Sequence, residues 1–294
     1  MPNASSIPVR LLGRAFRMAP SWVRGKGRLA RFLLNRKIRD NPTEIGDRNG
    51  NVMMLPNIRE PLALSLWLDG VYEPEVIGFL RSSVSPRSVV VDVGANIGAL
   101  TVPLARMLNQ GGSVVAIEAA PSVATFLKMN VQSNRLANVT VVECAVSTGE
   151  NASILFYEAP PNHFGRGSCA RQFDIPPIQV PAKSLDQILR ENGISEVAAI
   201  KVDVEGYEAH VFQGASEILK SSRRPRIVFE FCDWAEERAF PGRRGWAQEI
   251  LLRSGYKLWR LSDFLAGGQP LDAPVREGFC SIVALPDQAP PNPA

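Results

Sequence analysis

The stretch VVVDVGANIG, Val89 to Gly98, decides the fold. Three successive valines read as a strand buried on both faces. Gly94 and Gly98 mark a turn, and NIGALTVPLARML beyond it has helical apolar spacing in spite of Pro103. Working outward, GSVVAIEA and NVTVVECAV read as further strands, separated by a helix that opens at Pro121. Ser184 and Gln187 form a capping box for a short helix that Gly193 can close. EVAAIKVDV is a strand, a helix runs on from Tyr207, PRIVFEF is a strand, and the helix around Trp246 and Leu251 ends at Gly255. YKLWRL and FCSIVALP finish the chain as strands with no helical pattern between them. Strand alternating with helix at this spacing predicts a doubly wound α/β fold, Rossmann-like, with a mostly parallel sheet and an antiparallel edge near the C-terminus.

At 294 residues and 45% hydrophobic content, the chain can bury one substantial core. Its formal charge of +4 is uneven. Residues 1–40 hold ten Lys or Arg against the single Asp40, which leaves the remainder mildly acidic. The organisation expected is a basic, helical N-terminal arm over 1–60, one catalytic-size domain over 61–286 and a disordered tail over 287–294. Arginines interleaved with Leu, Phe and Trp in the arm suit an anionic membrane surface; nucleic acid and plain packing on the domain are the competing readings. The four cysteines form no C-x-x-C pair, so neither a zinc site nor a disulfide framework is expected. No apolar run has the length of a membrane span, and the cytoplasm, with peripheral membrane contact, is the expected compartment.

In an open sheet of this kind ligands lie beyond the carboxyl ends of the strands. Those ends carry Asp92, Glu118, Cys144 with Ala145, Asp203 with Glu205, and Glu230. The dinucleotide pattern G-x-G-x-x-G is incomplete here, because its middle glycine is missing. A carboxylate at Asp92 would also repel a pyrophosphate, by ~4 kcal/mol for unit charges about 4 Å apart at an effective dielectric of ~20. A cationic ligand with ribose hydroxyls fits better, and S-adenosylmethionine is the expectation. Its contacts are expected from Asp92, Gly94, Ala95, Asn96 and Gly98 in the turn, from Glu118 and Ala119, and from Ala145. Asp203 and Glu205 are the expected catalytic bases, with His163 as the alternative. No metal is expected, although Asp203, Glu205 and Glu230 are the set that would hold Mg²⁺. HFGRGS, His163 to Ser168, reads as a lid with two glycine hinges.

VVVDVGANIGALT, then Glu118, then IKVDVEGYEAHVFQGA from Ile200 to Ala215, resembles the FkbM family of S-adenosylmethionine-dependent methyltransferases. The likeness extends from DGVYEPE at Asp69 to SGYKLWRL and leaves the basic arm unmatched. It implies a class I methyltransferase sheet of seven strands and methylation of a hydroxyl on a sugar, a glycolipid or another natural product. The partner expected is a small-molecule or carbohydrate or lipid-linked acceptor, with nucleic acid as the lesser alternative.

Overall fold

The computed structural model describes residues 12–16 and 42–287. Its centre is a seven-stranded sheet. The strands are β3 (Val89–Val93), β4 (Ser113–Glu118), β5 (Val139–Glu143), β9 (Ala199–Val202), β10 (Arg226–Cys232), β11 (Tyr256–Arg260) and β12 (Phe279–Pro286). Their order in space is β11-β12-β10-β9-β3-β4-β5. From β5 to β10 every pairing is parallel, and β12 runs antiparallel to both β10 and β11. The chain reverses outward on both sides of β3, so the carboxyl ends of β3 and β9 border the crevice where such sheets bind ligands.

Alternation along the strands divides the core into two layers. Val91, Val93 and Ile200 face α5 (Leu185–Glu191), α6 (Glu208–Gln213) and α8 (Trp246–Arg253). Val90, Val114 and Val228 face α2 (Pro74–Ser83) and α3 (Thr101–Met107) on the other side. Half of the expected capping box forms: the Gln187 backbone amide donates to Ser184 Oγ at 3.1 Å, while the Gln187 side chain turns to Glu191, donating to its Oε1 at 2.9 Å. Gly193 and Gly255 follow their helices with φ of 66° and 77°, the left-handed backbone that glycine accepts readily.

Three features depart from the sequence expectation. Two short strands, β1 (Thr43–Gly46) and β2 (Val52–Leu55), form a hairpin inside the span assigned to the arm. The hairpin is clamped to α4 (Pro121–Ser133) and its C-cap: Asn130 and Asn134 accept the Met54 and Val52 amides at 2.6 and 2.9 Å and return bonds to the same residues' carbonyls. Ile45, Met53 and Leu55 are buried, so the packed body begins well before residue 61. Second, β8 (Ile178–Lys183) emerges from the Pro-rich patch and pairs with β6 (Ala145–Val146) and β7 (Ser153–Phe156) in a small sheet over the end of the main one. Third, a short helix, α9 (Leu261–Leu265), does lie between the last two main-sheet strands.

Of the basic stretch 1–40, only residues 12–16 are among those described. The helical turn at 12–16 sets Leu12 and Phe16 against the core, with the Phe16 ring 5.5 Å from that of Trp67. Trp67 belongs to α1 (Pro61–Asp69) and is fully buried. At this turn the packing reading of the arm is the one observed. Among the described residues no helix is long and apolar enough to cross a membrane.

Candidate active site

β3 ends at Val93, and the chain turns through Gly94, whose amide, with that of Ala95, donates to Ile117 O at 2.9 Å. Gly94 has φ +73° and lies against the next segment so closely that a Cβ there would sit 1.8 Å from the Asp203 carbonyl oxygen. Only glycine permits this contact, and the contact joins the turn after β3 to the turn after β9. The second turn is DVEG, Asp203 to Gly206. Asn96 at φ +54° and Glu205 at φ +56° are two of the four non-glycine residues in left-handed backbone among those described, and Glu73 at φ +42° is a third. Asn96 and Glu205 line one cavity and Glu73 lines the recess that adjoins it at Asp203, and strained backbone of this kind collects at functional sites.

The crevice contains a cavity between the two turns, about 610 Å³ with its solvent-open part included. Gly94, Asn96, Glu118, Ala119 and Ala145 line it, as do Asp203 and Glu205. Its inner wall is apolar, with Ile117, Val123, Cys144 and Phe156. Glu118, 8% exposed, accepts the Asn96 amide on Oε2 and the Ala120 amide on Oε1, each at 2.8 Å. Burial raises its pKa and these amides oppose the rise. A carboxylate offers about four lone-pair sites, so accepting capacity remains for a hydroxyl in the cavity. Apolar walls beside a carboxylate suit a nucleoside, whose base packs its flat faces on apolar side chains while its ribose diol bonds the carboxylate, so the lining fits the expected cofactor.

The expectation for Asp92 is corrected. Its carboxylate is fully buried behind the cavity wall, accepting from Thr101 Oγ1 at 2.6 Å and pairing with Lys201 Nζ at 3.5 Å. The cation it meets is this chain's own ammonium. Ala95 and Gly98 also lie outside the lining. Ala95 packs into the core on the α3 side, and a Cβ at Gly98 would press within 2.9 Å of Leu127.

Lys201 was not anticipated as a site residue. A lysine within an otherwise apolar central strand is the signal, since a buried ammonium requires partners. It donates to Gly94 O at 3.0 Å and lies 3.6 Å from Asp203 Oδ2. Burial alone would lower its pKa, but Asp203, Asp92, Glu73 and Glu230 outweigh that and hold it above the ordinary value. The side-chain oxygens of Asp203, Glu205 and Glu230 come within 4.8 Å of one another. Burial, then the Asp203 charge, pushes Glu205 up to about 7, and the same two causes raise Glu230.

The segment read as a lid covers the cavity. Residues Pro161–Arg166 form a 3₁₀ turn in which Phe164 is buried against the core and lines the cavity with Gly165. A Cβ at Gly165 would fall 2.8 Å from Asn96 Nδ2 and 3.2 Å from Glu60 Oε1. Ser168 fastens the cover by donating to Glu205 O at 3.0 Å. His163 is outside the lining; its ring lies 6.1 Å from that of Phe173. His210 packs among Tyr207, Phe240 and Trp246, and burial lowers its pKa, as befits a structural residue.

The Methyltransferase FkbM domain matches residues 92–258. The chain is 29% identical over 169 residues to the 31-O-demethyl-FK506 methyltransferase FkbM of Streptomyces tacrolimicus, covering 47% of this chain and 64% of that one. It is 27% identical over 157 residues to Methyltransferase sdnD of Sordaria araneosa, covering 44% and 60%. This chain thus spans under two thirds of the length of these relatives. Among solved structures it is similar to M. jannaschii TYW2 in complex with AdoMet, at a TM-score of 0.41 and 15% identity over 84% of this chain and 85% of that one, too distant a likeness to bear on the site. With its FkbM domain match running from the carboxylate of β3 to the C-terminal strands, the chain belongs to the FkbM methyltransferase family.

Proposed function

We infer that the protein transfers a methyl group from S-adenosylmethionine to a hydroxyl oxygen of a small-molecule acceptor, a sugar or other natural product. One observation carries the reading: Glu118, the carboxylate suited to a ribose, lines the same cavity as Asp203 and Glu205, the carboxylates suited to proton removal. The cofactor supplies an electrophilic methyl on a sulfonium, which is already an excellent leaving group. The protein's task is therefore alignment and proton removal.

Glu118 and the Gly94–Asn96 turn would hold the nucleoside, and Ala119 and Ala145 the sides of the base. Orientation of this kind supplies about 7 to 11 kcal/mol of a barrier. An acceptor hydroxyl with a water-like pKa near ~15.7 lies roughly 9 units above neutrality, and full deprotonation would cost ~12 kcal/mol. Glu205, at about 7, is matched to take the proton as the oxygen attacks. Asp203 is held by Lys201 at the junction of the two turns and lines the same cavity. Phe164, Gly165 and Gly167 of the cover line the cavity and would limit the access of water, which competes for the methyl group.

Calorimetry with S-adenosylhomocysteine, together with methyl transfer from labelled donor into extracted small molecules, tests this. Glu118→Ala is expected to weaken binding at least tenfold. Glu205→Gln is expected to keep binding and lower transfer by about 10² to 10⁴. Undiminished transfer in Glu205→Gln overturns its role as base, and undiminished affinity in Glu118→Ala overturns the ribose assignment.

A further inference from the structure

A second, shallow recess open to solvent adjoins the first cavity and shares Asp203 with it. Glu73, Lys201, Glu230 and Ser281 line its polar side, and Val76 and Val228 its apolar side. We propose that this recess and an aromatic ledge at its rim, Phe279 and Trp234, form the acceptor subsite, and that the subsite takes a neutral, hydroxyl-bearing ring. The proposal rests on the reading of hydroxyl methylation given above and deepens it.

The register places the ledge. Ser281 pairs with Glu230, and Phe279 pairs with Cys232, across β12 and β10. Residues two apart share a sheet face, so Phe279 stands on the same face as Ser281, one pleat nearer the carboxyl end of β10. It is 67% exposed and makes no ring contact among the described residues. Trp234, 48% exposed, stands in the first turn of α7 (Asp233–Ala239). Asp233 ties the two segments together: its amide donates to Gly278 O at 3.1 Å, and its Oδ2 accepts the Gly278 amide at 2.8 Å. The residues that follow this clasp on the two segments are the two exposed aromatics.

The ledge is anchored to the reacting groups as well. Arg238, one helical turn beyond Trp234, lays its guanidinium 4.9 Å from the indole centroid and donates to Glu205 O at 3.2 Å. A ring lying on Phe279 would thus be framed by Trp234 and would direct its substituents toward Ser281, Glu230 and Asp203.

The chemistry of the walls selects the ring. An aromatic face carries negative quadrupole and attracts the C–H edge of a saturated ring, while an apolar body leaves no demand for charge. Carboxyl groups and a serine hydroxyl exchange hydrogen bonds with hydroxyls. Burial, then the Asp203 charge, pushes Glu73 up to about 7, so this wall both donates and accepts near neutrality. A phosphate or carboxylate substituent would meet the Asp203 carboxylate and be repelled, since the one ammonium among the residues of this recess, Lys201, is already engaged by Asp92 and Asp203. An amine gains little, because the Lys201 ammonium already lies within 3.6 Å of Asp203.

Saturation-transfer NMR on the S-adenosylhomocysteine-loaded full chain tests this with three probes: methyl β-D-glucopyranoside, glucose 6-phosphate and glucosamine. The expected result is transfer to the ring protons of the neutral glycoside, at least fivefold less for the phosphate and the amine, and at least fivefold less for the glycoside in Phe279→Ser and Trp234→Ser. Both side chains are exposed, and the variants are expected to keep the wild-type affinity for S-adenosylhomocysteine, which confirms that they fold. Equal transfer in wild type and variants overturns the ledge. A preference for the phosphate or the amine, or no transfer to any probe, overturns the ligand class. Labelled S-adenosylmethionine separates the two readings. Ledge-dependent saturation with no label arriving on oxygen sinks hydroxyl methylation and leaves the ledge standing, and label on oxygen without ledge dependence does the reverse.

Discussion

Asp92 and Lys201 are register partners on the adjacent parallel strands β3 and β9, and their side chains form a buried ion pair at 3.5 Å. Truncating one member of such a pair strands the other in a low-dielectric interior, which typically costs about 3–5 kcal/mol. Lys201→Met is expected to destabilise the protein by that amount in urea denaturation, because Thr101 alone cannot offset the Asp92 charge. Asp92→Asn is expected to cost less, since Lys201 retains Gly94 O and Asp203. Combining the two substitutions should recover most of the loss of the lysine variant. A double variant no more stable than Lys201→Met would show that Lys201 acts through something other than the Asp92 charge.

The Gly94 contact gives a second expectation. Alanine at this position would need backbone at φ +73° and a Cβ inside the Asp203 carbonyl, so one of the two turns must move. Gly94→Ala is expected to lose about 1–3 kcal/mol through overpacking and strain, and to weaken S-adenosylhomocysteine binding at least tenfold by calorimetry. Gly78, inside α2 with nothing within 4 Å of its added Cβ, is the control. Gly78→Ala should be neutral or stabilising by up to ~1 kcal/mol. Wild-type affinity in Gly94→Ala would mean that the junction of the turns does not shape the cofactor cavity.

The alternation of strand and helix, and hence the sheet, was legible because local patterns carry it: valine runs, a serine cap, and glycines where helices stop. Gly94, Asn96 and Glu118 follow from the same local grammar, and they line the cavity. Asp92 was placed at the right strand end but assigned the wrong neighbour. Its partner lies more than a hundred residues away in the sequence, and only strand pairing brings the two together. The β1–β2 hairpin had a local signal that went unused: Asn49-Gly50 is a strong turn dipeptide, and Gly50 adopts φ +80°. Its strands of four residues each carry too little alternation to stand out, and their support comes from Asn130 and Asn134 on a distant helix. Phe279 and Trp234 were invisible as a pair because the clasp between Asp233 and Gly278 joins two separate segments.

The stability of the protein should fall as pH rises from acid to neutral, and Glu208 gives a way to measure one share of it. Its side chain is 2% exposed, and Oε1 accepts the Val204 amide at 3.0 Å and the Gly206 amide at 3.3 Å. Burial is the largest influence on it and outweighs these amides, pushing the pKa from 4.5 up to about 8. Glu60 and Glu236, 3% and 2% exposed, are pushed by burial up to about 7. A carboxyl whose folded pKa lies above its unfolded value keeps its proton longer in the native state. The stability it contributes is fully present below about pH 4.5 and is lost as pH rises through the folded value, at up to about 1.4 kcal/mol per pH unit for each group. Urea denaturation between pH 5 and 8 should therefore show a negative slope. Glu208→Gln retains an oxygen for the two amides but cannot ionise, so it should reduce that slope by up to about 1.4 kcal/mol per unit and be the more stable protein at pH 8. An unchanged slope in Glu208→Gln would mean that the Glu208 carboxyl is ionised in the folded protein across this range, with the DVEG turn held by a charged cap.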